Sequence, residues 1–313
     1  MKVIFGLRKF KKVARPVVTL GVFDGLHRGH LKIISRAVRT ARRIKGKSVV
    51  VTFYPHPQAQ KSLYSLKHRI RLLREQGVDI CVVIKFTSAF SRISAAEFVE
   101  NILVEKIRPL YVYVGENFTF GRGGLGGAEA LKRYSHTYAF KLKVFSPARS
   151  GARPISSTAI RSLIRGGDLT RAGRLLGRRV SVLGKVTSGS GIGRTLGFPT
   201  ANITPHHEVL PPPGIYAARV SLNNKFFAGA CYIGSKPTLK RRYRAAAPAV
   251  HIEVHIFDFR RNIYGKELEV EFIKKIREDR KFSSREALVK RISKDVFLAQ
   301  KILHHNISVF QPR

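Results

Sequence analysis

Residues 16–30 read PVVTLGVFDGLHRGH, an apolar run that empties into glycines, one acid and two histidines. Val17–Phe23 has the composition of a buried strand. Leu31, Ile34, Val38 and Ala41 then recur at helical spacing, with Lys32, Arg36, Arg39 and Arg43 mostly opposite. A strand, a glycine turn and a helix beginning near Gly29 make the opening of a βαβ unit. Further apolar runs follow at Val49–Phe53, Ile80–Phe86, Leu110–Val114 and Phe140–Phe145. Helical patterns fit near Leu66–Gln76, Ala95–Lys106 and Gly127–Arg133. Buried strands separated by helices predict an α/β fold with a mostly parallel sheet covered on both faces.

Ligands of such sheets bind beyond the carboxyl ends of the strands, which is where Gly21–His30 falls. The helix start offers free N–H groups and a positive dipole end. Glycines let an oxyanion approach the backbone, and His27 and His30 can donate hydrogen bonds to it. The stretch has no third ligand at zinc spacing. It is therefore read as a phosphate site.

After about Gly177 strand signals dominate: Val180–Thr187, Ile215–Leu222, Phe226–Ile233, Val250–Phe259 and Leu268–Phe272. Asn223-Asn224 reads as a tight hairpin turn, and Arg261–Gly265 as the closure of another. Short antiparallel strands suggest a small closed β-barrel. A last helix is expected from a capping box at Ser283-x-x-Glu286 to about Leu303. Ser156–Arg178 joins the halves, with Gly166-Gly167-Asp168 turning between two short helices. The predicted domains are 1–177 and 178–313.

The chain carries 59 Lys and Arg against 19 Asp and Glu, a formal net charge of +40. Such a surface attracts nucleotides and adheres to RNA without specificity. No zinc-finger spacing or basic–aromatic motif points to specific nucleic-acid recognition. No apolar run is long enough to span a membrane, and the basic N-terminus lacks the features of a signal peptide. Cys81 and Cys231 sit in apolar runs and read as buried thiols of a cytoplasmic protein. Acids are scarce enough to be informative. Asp24 is the only one between Met1 and Arg74, Asp168 the only one between Leu131 and His207, and none precedes Glu253 after Val209.

The pattern around Gly21–His30 resembles the adenine-nucleotide transferase signature. Four further pieces are similar to the bacterial bifunctional riboflavin kinase/FAD synthetase family. They are Phe53–Pro57 (FYPHP), Val114–Arg122 (VGENFTFGR), Ile155–Arg161 (ISSTAIR) and Gly189–Asn202 (GSGIGRTLGFPTAN). The resemblance spans essentially the whole chain. It implies a Rossmann-like nucleotidyltransferase domain followed by a riboflavin kinase-like barrel. In the first, Gly21, Phe23, Asp24, Gly29, Ser157, Thr158 and Arg161 would bind ATP with His27 and His30. Asn117, Phe53 and His56 would face flavin. The family often carries Arg where Ala159 stands here. The implied chemistry is attack of the FMN phosphate on the α-phosphorus of ATP. Pyrophosphate leaves, and no strong base is needed.

Gly189–Asn202 contains Gly191, Gly193 and Arg194, a loop suited to phosphates. No Walker or protein-kinase motif occurs. Thr200 and Asn202 share one side of an extended segment and can hold Mg²⁺ when nucleotide phosphates supply further charge. In VHIEVHIFDF, Ile252, Val254 and Ile256 alternate with His251, Glu253 and His255, giving one buried face and one open face. The resemblance makes Glu253 the base that deprotonates riboflavin, and makes Arg277–Phe282 and the helix of Asp295 a cover over the flavin. Leu239–Ala249 departs from the family's composition. The implied substrates are riboflavin, FMN and ATP. The rivals are a protein with one working module, and a basic nucleic-acid-binding protein on a degenerate scaffold.

Overall fold

Six segments form one parallel sheet: β1 (Lys2–Phe5), β2 (Pro16–Leu20), β3 (Lys47–Tyr54), β4 (Ile80–Lys85), β5 (Tyr111–Gly115) and β6 (Lys141–Phe145). They belong to a computed structural model that describes residues 1–58, 61–205, 209–235 and 250–304. The sheet order is β1-β4-β3-β2-β5-β6. From β2 the chain steps outward through β3 and β4, then returns to lay β5 and β6 on the other side. The reversal falls between β2 and β5, which pair Val17–Thr19 with Tyr111–Tyr113. Their carboxyl ends therefore flank the crevice where such sheets bind ligands.

Alternation along β2 feeds two cores. Val18 and Leu20 join Val49, Val51, Val112 and Val114 against Phe98, Val99 and Leu103. Val17 joins Tyr113, with Ile33, Ala37 and Ala41 of α1 (Arg28–Arg43), on the opposite face. The remaining helices of this unit are α2 (Leu66–Glu75), α3 (Ser88–Ser91), α4 (Ala95–Glu97) and α5 (Ala128–Thr137). A capping box between Ser94 and Glu97 starts α4, which continues as a π-helical segment, Phe98–Ile107. Sequence reading missed β1, a four-residue edge strand in a basic context.

A ribbon of β7 (Arg149–Ser150) and β8 (Arg153–Pro154) precedes α6 (Ser157–Arg165) and α7 (Leu169–Leu176). Asp168 caps α7 by accepting the Arg171 amide at 2.9 Å, as a turn at Gly166–Asp168 requires. The chain divides into two units, Met1–Ile160 and Arg161–Arg313.

The second unit is a closed antiparallel barrel of β9 (Ser181–Thr187), β10 (Ala201–Pro205), β11 (Gly214–Leu222), β12 (Lys225–Ser235), β13 (Val250–Ile256) and β14 (Glu267–Arg277). The order around it is β10-β13-β12-β11-β14-β9. Val182, Val186, Ile203, Val220, Ile233, Ile252, Val254 and Val270 are buried at alternating positions along their strands. A short α8 (Ile192–Thr195) lies in the glycine loop. The terminal helix α9 (Arg285–His304) packs Ala299 and Leu303 on Ala217 and Phe257. Asn223 and Asn224 both take positive φ, 50° and 63°, in the β11–β12 hairpin. The second expected hairpin does not form. β13 pairs with β10 and β12, whereas β14 pairs with β9 and β11, so Arg261–Gly265 crosses between non-neighbours. The cap of α9 is also shifted by one residue: Ser284 Oγ, not Ser283, accepts the Ala287 amide at 3.1 Å.

Both cysteines are buried and free. Burial raises the Cys81 thiol to about 12 and pushes Cys231 up as well. Among the described residues no helix is long and apolar enough to cross a membrane.

One buried carboxylate ties α9 to the barrel. Asp295 Oδ2 accepts Arg277 at 2.8 Å and Oδ1 accepts Arg291 Nε at 3.0 Å, with Asp295 only 3% exposed. Asp295→Ala would leave two half-desolvated guanidiniums facing each other. The expected outcome is a loss of about 3 kcal/mol, read as a lower urea midpoint, with α9 amides exchanging first.

Candidate functional site

The turn after β2 is strained. Phe23 (φ 52°), Gly25 (φ 76°) and Leu26 (φ 39°) are all left-handed, which residues with a Cβ rarely adopt. Specific contacts hold it there. Asp24, 3% exposed, accepts the Leu63 amide on Oδ1 at 2.8 Å. The Val22 carbonyl accepts the Thr52 hydroxyl at 2.9 Å and a guanidinium N–H of Arg69. Arg69 is 2% exposed; burial lowers its pKa, and the charge of Asp24 opposes that. The acid that sequence reading placed on ATP thus has its carboxylate in the wall of the turn.

His27 caps α1, its Nδ1 accepting the His30 amide at 3.4 Å. The two imidazoles stack with centroids 3.6 Å apart, and Phe23 meets His30 edge-on at 5.4 Å. This packing explains two of the glycines. A Cβ at Gly21 would lie 3.0 Å from the Phe23 ring, and one at Gly29 would lie 3.2 Å from the His27 ring.

The start of α6 is brought to the same turn. Ser156 Oγ is the helix cap, accepting the Ala159 amide at 3.2 Å. That leaves Ser157 Oγ to donate to the Asp24 carbonyl at 3.0 Å. Thr158 is exposed beside it, and Arg161 is buried one turn further along α6. Asn117 is exposed just past the end of β5, on the other side of the switch point. Phe53 is instead a core residue, packed on Phe86 and Phe90 at 6.3 and 5.9 Å. His56 Nδ1 accepts the Gln58 amide at 3.2 Å. Sequence reading missed Arg69 and Leu63. Among so many arginines nothing marks Arg69 except its burial, which is a tertiary property.

In the second unit the polar residues form a row across three strands. Asn202 on β10 is directly opposite Glu253 on β13, which is directly opposite Tyr232 on β12. Thr200 Oγ1 donates to Glu253 Oε2 at 3.2 Å. Because Ile252, Val254 and Ile256 are buried, this row stands on the other face of its strands. Gly189–Phe198 folds over the row. A Cβ at Gly189 would overlap the Asn202 amide, and one at Gly193 would lie 3.0 Å from Thr200 Oγ1. Gly191 is left-handed at φ 72°, and Arg194 is exposed. Two side chains brace the loop: His255 Nδ1 bonds the Pro199 carbonyl at 2.8 Å, and Arg285 bonds the Thr195 carbonyl at 2.9 Å.

A cavity of about 320 Å³ opens on this row. Thr200 and Glu253 line it together with Phe198, Phe282, Leu288 and Val296. It joins an apolar wall suited to a planar ring with the Thr200 hydroxyl and the Glu253 carboxylate, groups suited to a hard cation and a proton transfer. The segment Leu239–Ala249 lies outside the described residues.

Comparison with known proteins covers both units. A family model described as FAD synthetase matches residues 9–159, and one described as riboflavin kinase matches residues 176–303. The bifunctional riboflavin kinase/FMN adenylyltransferase of Buchnera aphidicola subsp. Schizaphis graminum is 35% identical over 96% of this chain and 98% of its own. The protein of that name from Escherichia coli K12 is 32% identical over 96% and 97%. A crystal structure described as a macrolide-efflux protein from Streptococcus pneumoniae superposes with a TM-score of 0.80 at 29% identity, covering 94% of this chain and 97% of that one.

Asp24→Ala would remove the acceptor of the Leu63 amide and release the strained turn. The expected result is faster hydrogen exchange at Leu63 and at Phe23–His30, and a loss of about 1–3 kcal/mol. Amide exchange followed by mass spectrometry reads both.

Proposed function

The chain belongs to the bifunctional riboflavin kinase/FMN adenylyltransferase family, and from that premise we propose how its residues divide the work. The enzyme phosphorylates riboflavin to FMN and adenylylates FMN to FAD, using ATP in both steps. We assign adenylyl transfer to residues 1–177 and phosphorylation to residues 178–313. The observation that carries the assignment of the kinase is the row Asn202–Glu253 with Thr200 bonded to the carboxylate.

In the kinase, Glu253 accepts the proton of the terminal ribityl hydroxyl as its oxygen attacks the γ-phosphorus of ATP, and ADP leaves. Thr200 holds the carboxylate in place before substrate arrives. Gly191, Gly193 and Arg194 take the phosphates. The apolar part of the cavity takes the isoalloxazine ring. Thr200 and Asn202 offer hard oxygen donors beside a carboxylate, a set that fits Mg²⁺. When bound, Mg²⁺ would neutralise charge on the phosphate oxygens of ATP.

In the adenylyltransferase, an FMN phosphate oxygen attacks the α-phosphorus and pyrophosphate leaves. The nucleophile is already an anion, so the residues align groups and screen charge. His27 and His30 donate to phosphate oxygens from the start of α1. Ser157, Thr158 and Arg161 contribute from α6, and Asn117 from the end of β5. Gly21, Phe23, Asp24 and Gly29 serve the site by fixing the turn that aims the two imidazoles. His56 edges the flavin side. Phe53 supports it from the core. The enzyme works in the cytoplasm on small molecules. Its +40 charge favours anionic substrates and non-specific RNA adhesion over a dedicated nucleic-acid partner.

Purified protein with riboflavin, ATP and Mg²⁺ is expected to accumulate FMN and then FAD, resolved by chromatography. His30→Ala should lower FAD formation from FMN at least 100-fold and leave FMN formation within about twofold. Glu253→Gln should lower FMN formation at least 100-fold while supplied FMN still becomes FAD. Equal loss of both activities in either variant would refute the two-site division.

A further inference from the structure

Tyr232 lies outside every motif that marked the second unit. It stands directly opposite Glu253 across the β12–β13 ladder, at cross-strand pair distance. Its hydroxyl donates to Asp279 Oδ2 at 3.0 Å. Asp279 belongs to the short segment Glu278–Phe282 that follows β14 and precedes α9. Tyr232, Asp279, Arg280 and Phe282 all line the cavity shared with Thr200 and Glu253.

Space for this contact is built into the strand. A Cβ at Gly234, two residues on and on the same face, would overlap the Tyr232 ring and hydroxyl. The segment is held at its base as well. Arg277 pairs with Asp295, and its guanidinium and that of Arg280 lie over the Phe282 ring at 5.5 and 4.9 Å. Burial, the bond to Asp279 and the charges of Asp279 and Glu253 raise the Tyr232 phenol to about 12, so it remains a donor at neutral pH.

We infer that Tyr232 is a positioning residue for riboflavin: through Asp279 it ties the Glu278–Phe282 strap to the strand pair that carries Glu253, and so fixes Phe282 as a wall of the flavin cavity. The inference rests on reading this cavity as the riboflavin site. It separates two roles within one wall. Phe282 meets the ring, while Tyr232 sets where Phe282 stands. Losing the tether should therefore weaken flavin binding and spare the chemical step, because Thr200 and Glu253 keep their own bond.

Tyr232→Phe keeps the ring and removes only the hydroxyl. The expected result is a rise of about fivefold in the riboflavin KM and in the Kd from flavin-fluorescence titration, the size of one hydrogen bond. The kcat for FMN formation should change less than twofold, and FMN adenylylation should not change. Asp279→Asn should weaken binding similarly, and the double variant should be no worse than the poorer single one. A KM and Kd within twofold of the parent, a fall in kcat alone, or fully additive effects would overturn the tether. A lower melting temperature with unchanged Kd would also overturn it, as a purely structural role. Parent protein that binds riboflavin yet makes no FMN would instead count against Glu253 as the base, because the titration needs no turnover.

Discussion

Strand β13 can bury Ile252, Val254 and Ile256 in the barrel only by turning Glu253 and His255 to its other face. That two-residue period fixes which side chains of β13 face the cavity. A slip of one residue would bury the carboxylate and expose three branched side chains. Closure of the barrel protects the register, since every strand is paired on both sides. The neighbours then have no freedom either. Asn202 and Tyr232 must flank Glu253 because β10 and β12 must pair with β13. The glycine loop only has to come down on a row that already exists. Thr200, Pro199 and Thr195 are pinned to Glu253, His255 and Arg285.

The first unit solves a different problem. Its imidazoles sit on a turn that the backbone disfavours, with left-handed Phe23 and Leu26. Such a turn persists because its surroundings over-determine it. Asp24 and Arg69 are charged groups spent on the interior, holding Leu63 and Val22. The same turn receives Ser157, so the starts of α1 and α6 share one anchor at the Asp24 carbonyl. The arrangement links the strain at the helix start to the placement of α6.

Much of this was readable from spacing. Five of the six strands of the parallel sheet and the longer helices between them follow from apolar periodicity. Asn223-Asn224 gave a hairpin because Asn tolerates positive φ. The alternation in VHIEVHIFDF placed Glu253 on an open face. β10 was hidden because Ala201–Pro205 is short and ends in proline, and its strand character comes from pairing with β9 and β13. Arg261–Gly265 has turn composition, but composition says nothing of which strands it joins. Among the site residues, Phe53 turned out to be core, and the helix cap proved to be Ser156, one residue before the serine that reaches Asp24.

The sequence by itself determined the two fold classes and the order of most of their elements, because periodicity and turn signals are local. Only the tertiary structure decided that Asp24 braces a turn, that Arg69 lies behind it, and that Tyr232 stands between Glu253 and Asp279. Those facts depend on pairs 39, 47 and 47 positions apart. Separations of that length are closed by sheet order and barrel closure, which no local pattern encodes.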